Sequence, residues 1–168
     1  MDKLSSELSN IKVLLFDWGD TLMRDYKEKE GPMYYWDEIA LIDGVDNFLS
    51  LCYDKYQLVA ATNAGCSDTG LMIKALNRGG IDRYFSYFFS SKELGVEKPN
   101  PLFFQTIAHE INVKPSSIAI FGNDYKKDIE PSKKTGMTTF FFNEANVQSV
   151  YPAADYIFNH FSELYELF

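Results

Sequence analysis

The stretch Ile11-Lys12-Val13-Leu14-Leu15-Phe16-Asp17-Trp18-Gly19-Asp20-Thr21-Leu22 decides how the rest of the chain is read. Residues 11–16 form a short apolar run of the kind that fills a strand buried on both faces. A carboxylate, Asp17, stands directly at its end, followed by Gly19 and a Thr-Leu pair. The same arrangement recurs further on. Gln57–Thr62 (QLVAAT) is an apolar strand ending in Thr62-Asn63, and residues 117–121 (SIAIF) lead into Gly122-Asn123-Asp124. Between these runs lie stretches of helical pattern. Residues 46–53 lead into the second strand. Residues 67–78 stop at Gly79-Gly80, and residues 101–111 start on a proline that the first helical turn tolerates. Tyr87–Ser90, Thr138–Phe142 and residues 155–158 complete the strands, residues 128–135 form a helix stopped by Gly136, and residues 161–167 form a closing helix.

Strands alternating with helices predict an α/β fold, a parallel sheet with helices on both faces. In such sheets ligands bind beyond the carboxyl ends of the strands. The residues in those places, Asp17, Thr62, Asn63, Asn123 and Asp124, are polar, so a site is expected there.

Bulk properties narrow the function. The 168 residues suit one domain. The net charge of −8 argues against a nucleic-acid backbone or an anionic membrane as partner. It also means that an anionic substrate needs local positive charge, which Mg²⁺ would supply. No apolar run approaches the roughly 20 residues of a membrane span. Residues 1–10 are polar and acidic with no apolar signal core, and the two cysteines, Cys52 and Cys66, show no metal-type spacing. Together these predict a cytoplasmic protein with reduced thiols.

Each polar element has an ordinary reading beside the chemical one. Asp17 at a strand tip can attack phosphorus or carbon to form a covalent intermediate, or simply make a turn. Thr62-Asn63 can hold a phosphoryl oxygen or cap a helix. Lys98, in Glu97-Lys98-Pro99-Asn100-Pro101, can neutralise an attacking carboxylate and the transferring group, or sit in solvent. Asn123, Asp124 and Asp128 offer hard oxygen ligands for Mg²⁺, although Asp128 can serve only as a helix cap.

Four segments in order, FDWGDTL (16–22), ATNA (61–64), GVEKPNPLFF (95–104) and FGNDYKKDIEPSKKTGM (121–137), resemble the haloacid dehalogenase-like hydrolase superfamily. The stretch IDGVDNFLSLCYDKYQLVAATN (42–63) is similar to the family's lead into its second motif. The resemblance implies a Rossmann-like sheet and a Mg²⁺-dependent phosphohydrolase or phosphotransferase acting on a phosphorylated substrate, small or macromolecular. Asp17 would be nucleophile and metal ligand, with the Gly19 carbonyl and Asp124 as further ligands. Asn123 or Asp128 would ligate or support the metal, Thr62 with main-chain donors would bind phosphoryl oxygens, and Lys98 would offset charge.

The chain departs from the family at three points. Gly19 replaces the aspartate that acts as general acid and base, and Asp20 is the nearest substitute, one residue out of register. Asn123 stands where an acid is common. Residues 23–43 are too few for a helical lid, so a short flap carrying Tyr34-Tyr35-Trp36 is expected. Those aromatics would either plug the domain or present a surface. An open site suits bulky substrates, or a lid from another subunit of a homo-oligomer. Two other readings follow: carbon–halogen hydrolysis by Asp17 without metal, and a catalytically weak binding or regulatory member. His109 is expected to be structural. Lys126, Lys127, Lys133 and Lys134 should form a solvated helix face, and Phe140-Phe141-Phe142 should be sheet core.

Overall fold

The computed structural model describes residues 8–168, so the segment 1–10 falls mostly outside the described residues. Six parallel strands form one sheet in the order β3-β2-β1-β4-β5-β6: β1 (Val13–Phe16), β2 (Gln57–Thr62), β3 (Tyr87–Ser90), β4 (Ile118–Gly122), β5 (Thr138–Phe142) and β6 (Tyr156–Phe158). The helices between them are α1 (Val45–Cys52), α2 (Thr69–Arg78), α3 (Ser91–Leu94), α4 (Pro101–Glu110) and α5 (Glu130–Thr135). The expected α/β fold with a parallel sheet is present. The strand order reverses at β1, between β2 and β4, which opens a crevice above their carboxyl ends.

Burial on both faces explains the continuous apolar strands. Along β1, Leu14 and Phe16 join a core with α1 and α2, where Phe48, Leu49, Met72 and Leu76 pack. Val13 and Leu15 point the other way, into a core with Phe103, Phe104 and Ile107 of α4. Phe140, Phe141 and Phe142 are sheet core as expected.

Boundaries shift where side chains cap. The helix expected from residue 67 starts at Thr69, because Asp68 accepts a hydrogen bond from Leu71 N–H at 3.0 Å. The helix expected over 128–135 is two pieces. A π-helical turn, Tyr125–Ile129, precedes α5 and carries Asp128 inward, so Asp124, not Asp128, is the cap. The closing helix shortens to one 3₁₀ turn, Phe161–Leu164.

Residues 23–43 contain a single 3₁₀ turn, Met33–Tyr35. Met23 pairs with both Gly19 and Leu41, which closes the base of this flap. Arg78 of α2 donates to the carbonyls of Tyr34 (2.6 Å) and Trp36 (2.7 Å) and fastens its tip. Of the three flap aromatics, Trp36 is buried in the core, Tyr34 is half-buried and Tyr35 is exposed. The plug is therefore Trp36, and Tyr35 is the surface.

Candidate active site

The strand ends converge on a cavity of about 190 Å³ whose wall includes Asp17, Gly19, Thr62, Lys98, Asn123 and Asp128. Asp17 follows β1 and is fixed there by its N–H, which donates to Phe121 O of β4 at 3.0 Å. Its side chain is almost wholly buried, yet both oxygens are held. Oδ1 accepts from Lys98 Nζ at 2.7 Å and Oδ2 from Thr21 Oγ1 at 3.1 Å.

Lys98 is buried too and lies between two carboxylates, with Nζ 2.8 Å from Asp128 Oδ1. Burial works against its charge, but the neighbouring Asp128 and Asp17 outweigh burial and hold its pKa above the ordinary lysine value. Burial pushes the Asp128 carboxyl up, Asp17 adds to that, and Lys98 pulls it back. The second Asp128 oxygen accepts from Asp124 N–H at 3.0 Å. Asp128 is thus a buried support for Lys98 rather than a helix cap. Gly122 makes this possible: a Cβ there would lie 2.4 Å from Asp128 Cβ and 2.6 Å from its Oδ2. Sequence reading passed over Gly122, although a glycine between a buried strand and a helix start signals a close approach.

Asn63 lines the cavity, and its side chain is engaged with Lys98. Its Oδ1 accepts from Lys98 N–H at 2.9 Å and its Nδ2 donates to Lys98 O at 3.0 Å. Its amide clamps the lysine's backbone, which is what presents Nζ to Asp17. Thr62 stands at the cavity wall, its hydroxyl on Asn63 O at 3.1 Å.

Asn123 sits closest to the cation question. The end of its amide lies 3.0 Å from Asp17 Oδ2, 3.2 Å from Gly19 O and 3.2 Å from Thr21 Oγ1. With nitrogen in that place the amide donates to all three; with oxygen there it accepts from Thr21 Oγ1. In the second orientation Asn123 Oδ1 lies 3.0 Å from Asp17 Oδ2 and 3.2 Å from Gly19 O, acceptor against acceptor, a grouping that a cation between them would make favourable. Octahedral Mg²⁺, with metal–oxygen distances of about 2.1 Å, separates adjacent ligand oxygens by about 3.0 Å. The residues present therefore fit the ion. Asp124 Oδ1 instead accepts from Lys126 and Lys127 N–H at 3.0 Å each, although the residue lines the same cavity. Among the described residues no three His, Cys, Asp or Glu side chains are grouped to hold a metal, so the fit is of carboxylate, carbonyl and amide. Five carboxylates face the cavity against three lysines, Lys27, Lys98 and Lys127, so its formal charge is negative. Lys127 therefore belongs to the site wall, unlike Lys126 and Lys133, which pair with Glu130 and Asp155.

Asp20 lines the cavity, with its side chain engaged by the flap. It adopts a left-handed backbone (φ 56°), and its Oδ1 accepts from Asp25 N–H at 2.9 Å. Asp25 drew no attention in the sequence, yet it lines the cavity with Asp17. Cys52 is buried, which pushes its thiol up to about 12, whereas Cys66 is exposed; both are free. His109 is exposed on α4 and does not line this cavity.

Residues 6–142 match the family model described as haloacid dehalogenase-like hydrolase. The chain belongs to that family. Among curated relatives, the glyceraldehyde 3-phosphate phosphatase of Methanopyrus kandleri is 35% identical over 94 residues, 54% of this chain and 40% of that protein. The pyrimidine 5'-nucleotidase PynA of Streptococcus pneumoniae is 28% identical over 101 residues, 60% of this chain and 41% of that protein. The chain thus spans about two-fifths of the length of these relatives. Among solved structures, the magnesium-bound HAD-hydrolase YfnB of Bacillus subtilis superposes with a TM-score of 0.77 at 17% identity, covering 94% of this chain and 98% of that one. A Listeria monocytogenes protein superposes with a TM-score of 0.81 at 18% identity, covering 93% and 96%. These structural likenesses carry the fold. No helix among the described residues is long and apolar enough to cross a membrane.

Proposed function

We propose that this haloacid dehalogenase-like chain is a Mg²⁺-dependent phosphohydrolase that passes through an aspartyl-phosphate on Asp17. The observation that carries the reading is the divided environment of the Asp17 carboxylate. Oδ1 meets Lys98, while Oδ2 lies 3.0 Å from the end of the Asn123 amide, which also reaches Gly19 O at 3.2 Å. One oxygen is thereby available to attack while the other joins the set that would hold the cation. When bound, Mg²⁺ would offset charge on the phosphoryl oxygens, which the acidic cavity alone would repel. The phosphatase names of the curated relatives support a phosphate ester or anhydride as the substrate class.

Asp17 Oδ1 attacks phosphorus, the bond from phosphorus to the leaving oxygen breaks, and an acyl phosphate forms. Lys98 stays charged between Asp17 and Asp128 and stabilises the negative charge that gathers on the transferring group. Thr62 at the cavity wall would turn its hydroxyl from Asn63 O to the phosphoryl oxygens. Water then attacks phosphorus, the bond to Asp17 breaks, and phosphate leaves.

The test is turnover of nitrophenyl phosphate with and without Mg²⁺, beside a 2-haloacid. Asp17→Asn should abolish turnover while circular dichroism stays unchanged, because an amide is a far poorer nucleophile. Halide release without metal and no phosphate release would overturn the reading. So would an Asp17→Asn variant as active as its parent.

A further inference from the structure

Transfer of a phosphoryl group from an alkyl ester needs a proton at the departing oxygen, and hydrolysis of the acyl phosphate needs one taken from water. Gly19 has no side chain for either task. The space beside it is nevertheless filled. A Cβ built on Gly19 would lie 3.4 Å from Asp25 Cβ, 3.6 Å from Asp25 Oδ2 and 3.7 Å from Asp25 Cγ. A carboxyl absent from position 19 is thus delivered to the same place by the flap.

Asp25 also stands on the lip between two cavities. One is the pocket that holds Asp17 and Lys98; the other, about 260 Å³, is walled by Trp18, Met33 and Trp36 of the flap side. Gly19, Asp25, Thr62 and Asn63 line both, so a leaving group that extends from the first into the second would pass Asp25. The loop that carries Asp25 is held from two sides. Asp20 Oδ1 accepts its N–H at 2.9 Å, and Lys27 Nζ lies 2.5 Å from Asp25 Oδ2 and 3.4 Å from Asp20 Oδ2. The Asp20 carboxylate lines the same pocket, but its oxygens are engaged by the Asp25 N–H and Lys27, and it thereby positions Asp25.

We propose that Asp25 transfers the protons in this reaction, with Asp20 and Lys27 as its positioning residues; the proposal rests on the phosphohydrolase reading. In the first half, the Asp17 Oδ1–phosphorus bond forms and the bond to the leaving oxygen breaks. That oxygen takes the proton of the Asp25 carboxyl. In the second half, the Asp25 carboxylate takes a proton from the attacking water, the phosphorus–Asp17 bond breaks, and the carboxyl is restored.

The experiment compares nitrophenyl phosphate with an alkyl phosphate such as glycerol phosphate, in the parent, Asp25→Asn and Asp25→Asn/Gly19→Asp. Asp25→Asn should lower kcat/KM for the alkyl ester about 10²–10³-fold, the scale of lost acid–base assistance, and for the aryl ester far less. Phosphorylated Asp17 should accumulate in Asp25→Asn on quenching, read by intact mass. Returning a carboxyl at position 19 should recover part of the alkyl activity and clear the phosphoenzyme; the split between the two esters and the trapped phosphoenzyme are what a merely structural role for Asp25 would not produce. Equal losses on both esters without phosphoenzyme, an unchanged ratio, or a parent that cleaves only the aryl ester would each overturn Asp25. The phosphohydrolase reading survives those results as long as the parent's aryl turnover depends on Asp17. A parent inactive on both esters overturns both.

Discussion

The floor of the site and the flap beside it use the same residue types in opposite surroundings. On the floor, Lys98 is 4% exposed and Asp128 1% exposed. On the flap, Lys27 is 75% exposed and Asp25 40% exposed, and Arg24 pairs with Glu144 at the surface. A buried charge that loses its partner costs several kcal/mol, whereas an exposed pair contributes between nothing and about 1 kcal/mol. The floor is therefore part of the core as well as of the chemistry. The flap can lose a charge and still fold, which leaves its residues free to be tuned to the substrate.

The sharpest way to break this contrast is Lys98→Met. It should remove detectable turnover and destabilise the fold by about 3–5 kcal/mol in urea unfolding, because Asp128 is left buried without its cation. Adding Asp128→Leu should return much of the stability and none of the activity. A Lys98→Met protein as stable as its parent would mean that the triad is not a structural unit.

Gly122→Ala tests the same floor through packing. The new Cβ would overlap Asp128, so a loss of about 1–3 kcal/mol is expected, seen as a lowered melting temperature. Activity should fall with it, as Asp128 retreats from Lys98.

At the boundary between the regions, Asn123→Ala should weaken Mg²⁺ binding by more than about tenfold in calorimetry, with a smaller change for Asp124→Ala. The reverse order would make Asp124 the ligand and Asn123 its support.

The smallest effect belongs to Arg24→Ala on the flap. Arg24 meets Glu144 through two contacts of 2.5 Å and, by that hydrogen bond, holds the Glu144 carboxyl below its ordinary range. A depressed carboxyl stabilises fully above its unfolded value of about 4.3, and the gain fades as pH falls through the folded value. Both groups are partly exposed, so the loss in unfolding measurements at neutral pH should stay within about 1 kcal/mol and vanish in acid. A larger loss would join the flap to the core.

Much of the floor was legible because each of its groups follows an apolar strand or precedes a helix. Asp17, Thr62 and Lys98 each allowed an ordinary reading at that place, and it was the four segments in order, with their resemblance to the family, that joined them. Roles within the floor were less legible. The Asn63 amide, on the cavity wall, also holds the Lys98 backbone, and Asp128 left its expected cap when the π-helical turn carried it inward. Such assignments depend on partners far away in sequence.

By itself the sequence determined the parallel α/β sheet, the family and the edge on which the polar residues gather. Strand burial and helix punctuation are local patterns, and a parallel sheet allows few ways to connect them. Only the tertiary structure decided which oxygens meet and what fills the space beside Gly19. The flap folds back where Met23 pairs with Gly19 and Leu41, and that closure brings Asp25 to the vacant position. Its cause is the irregular turn between Gly19 and Asp25 and the pairing of Met23 with Leu41 at the far end of the flap, which no helix or strand period records.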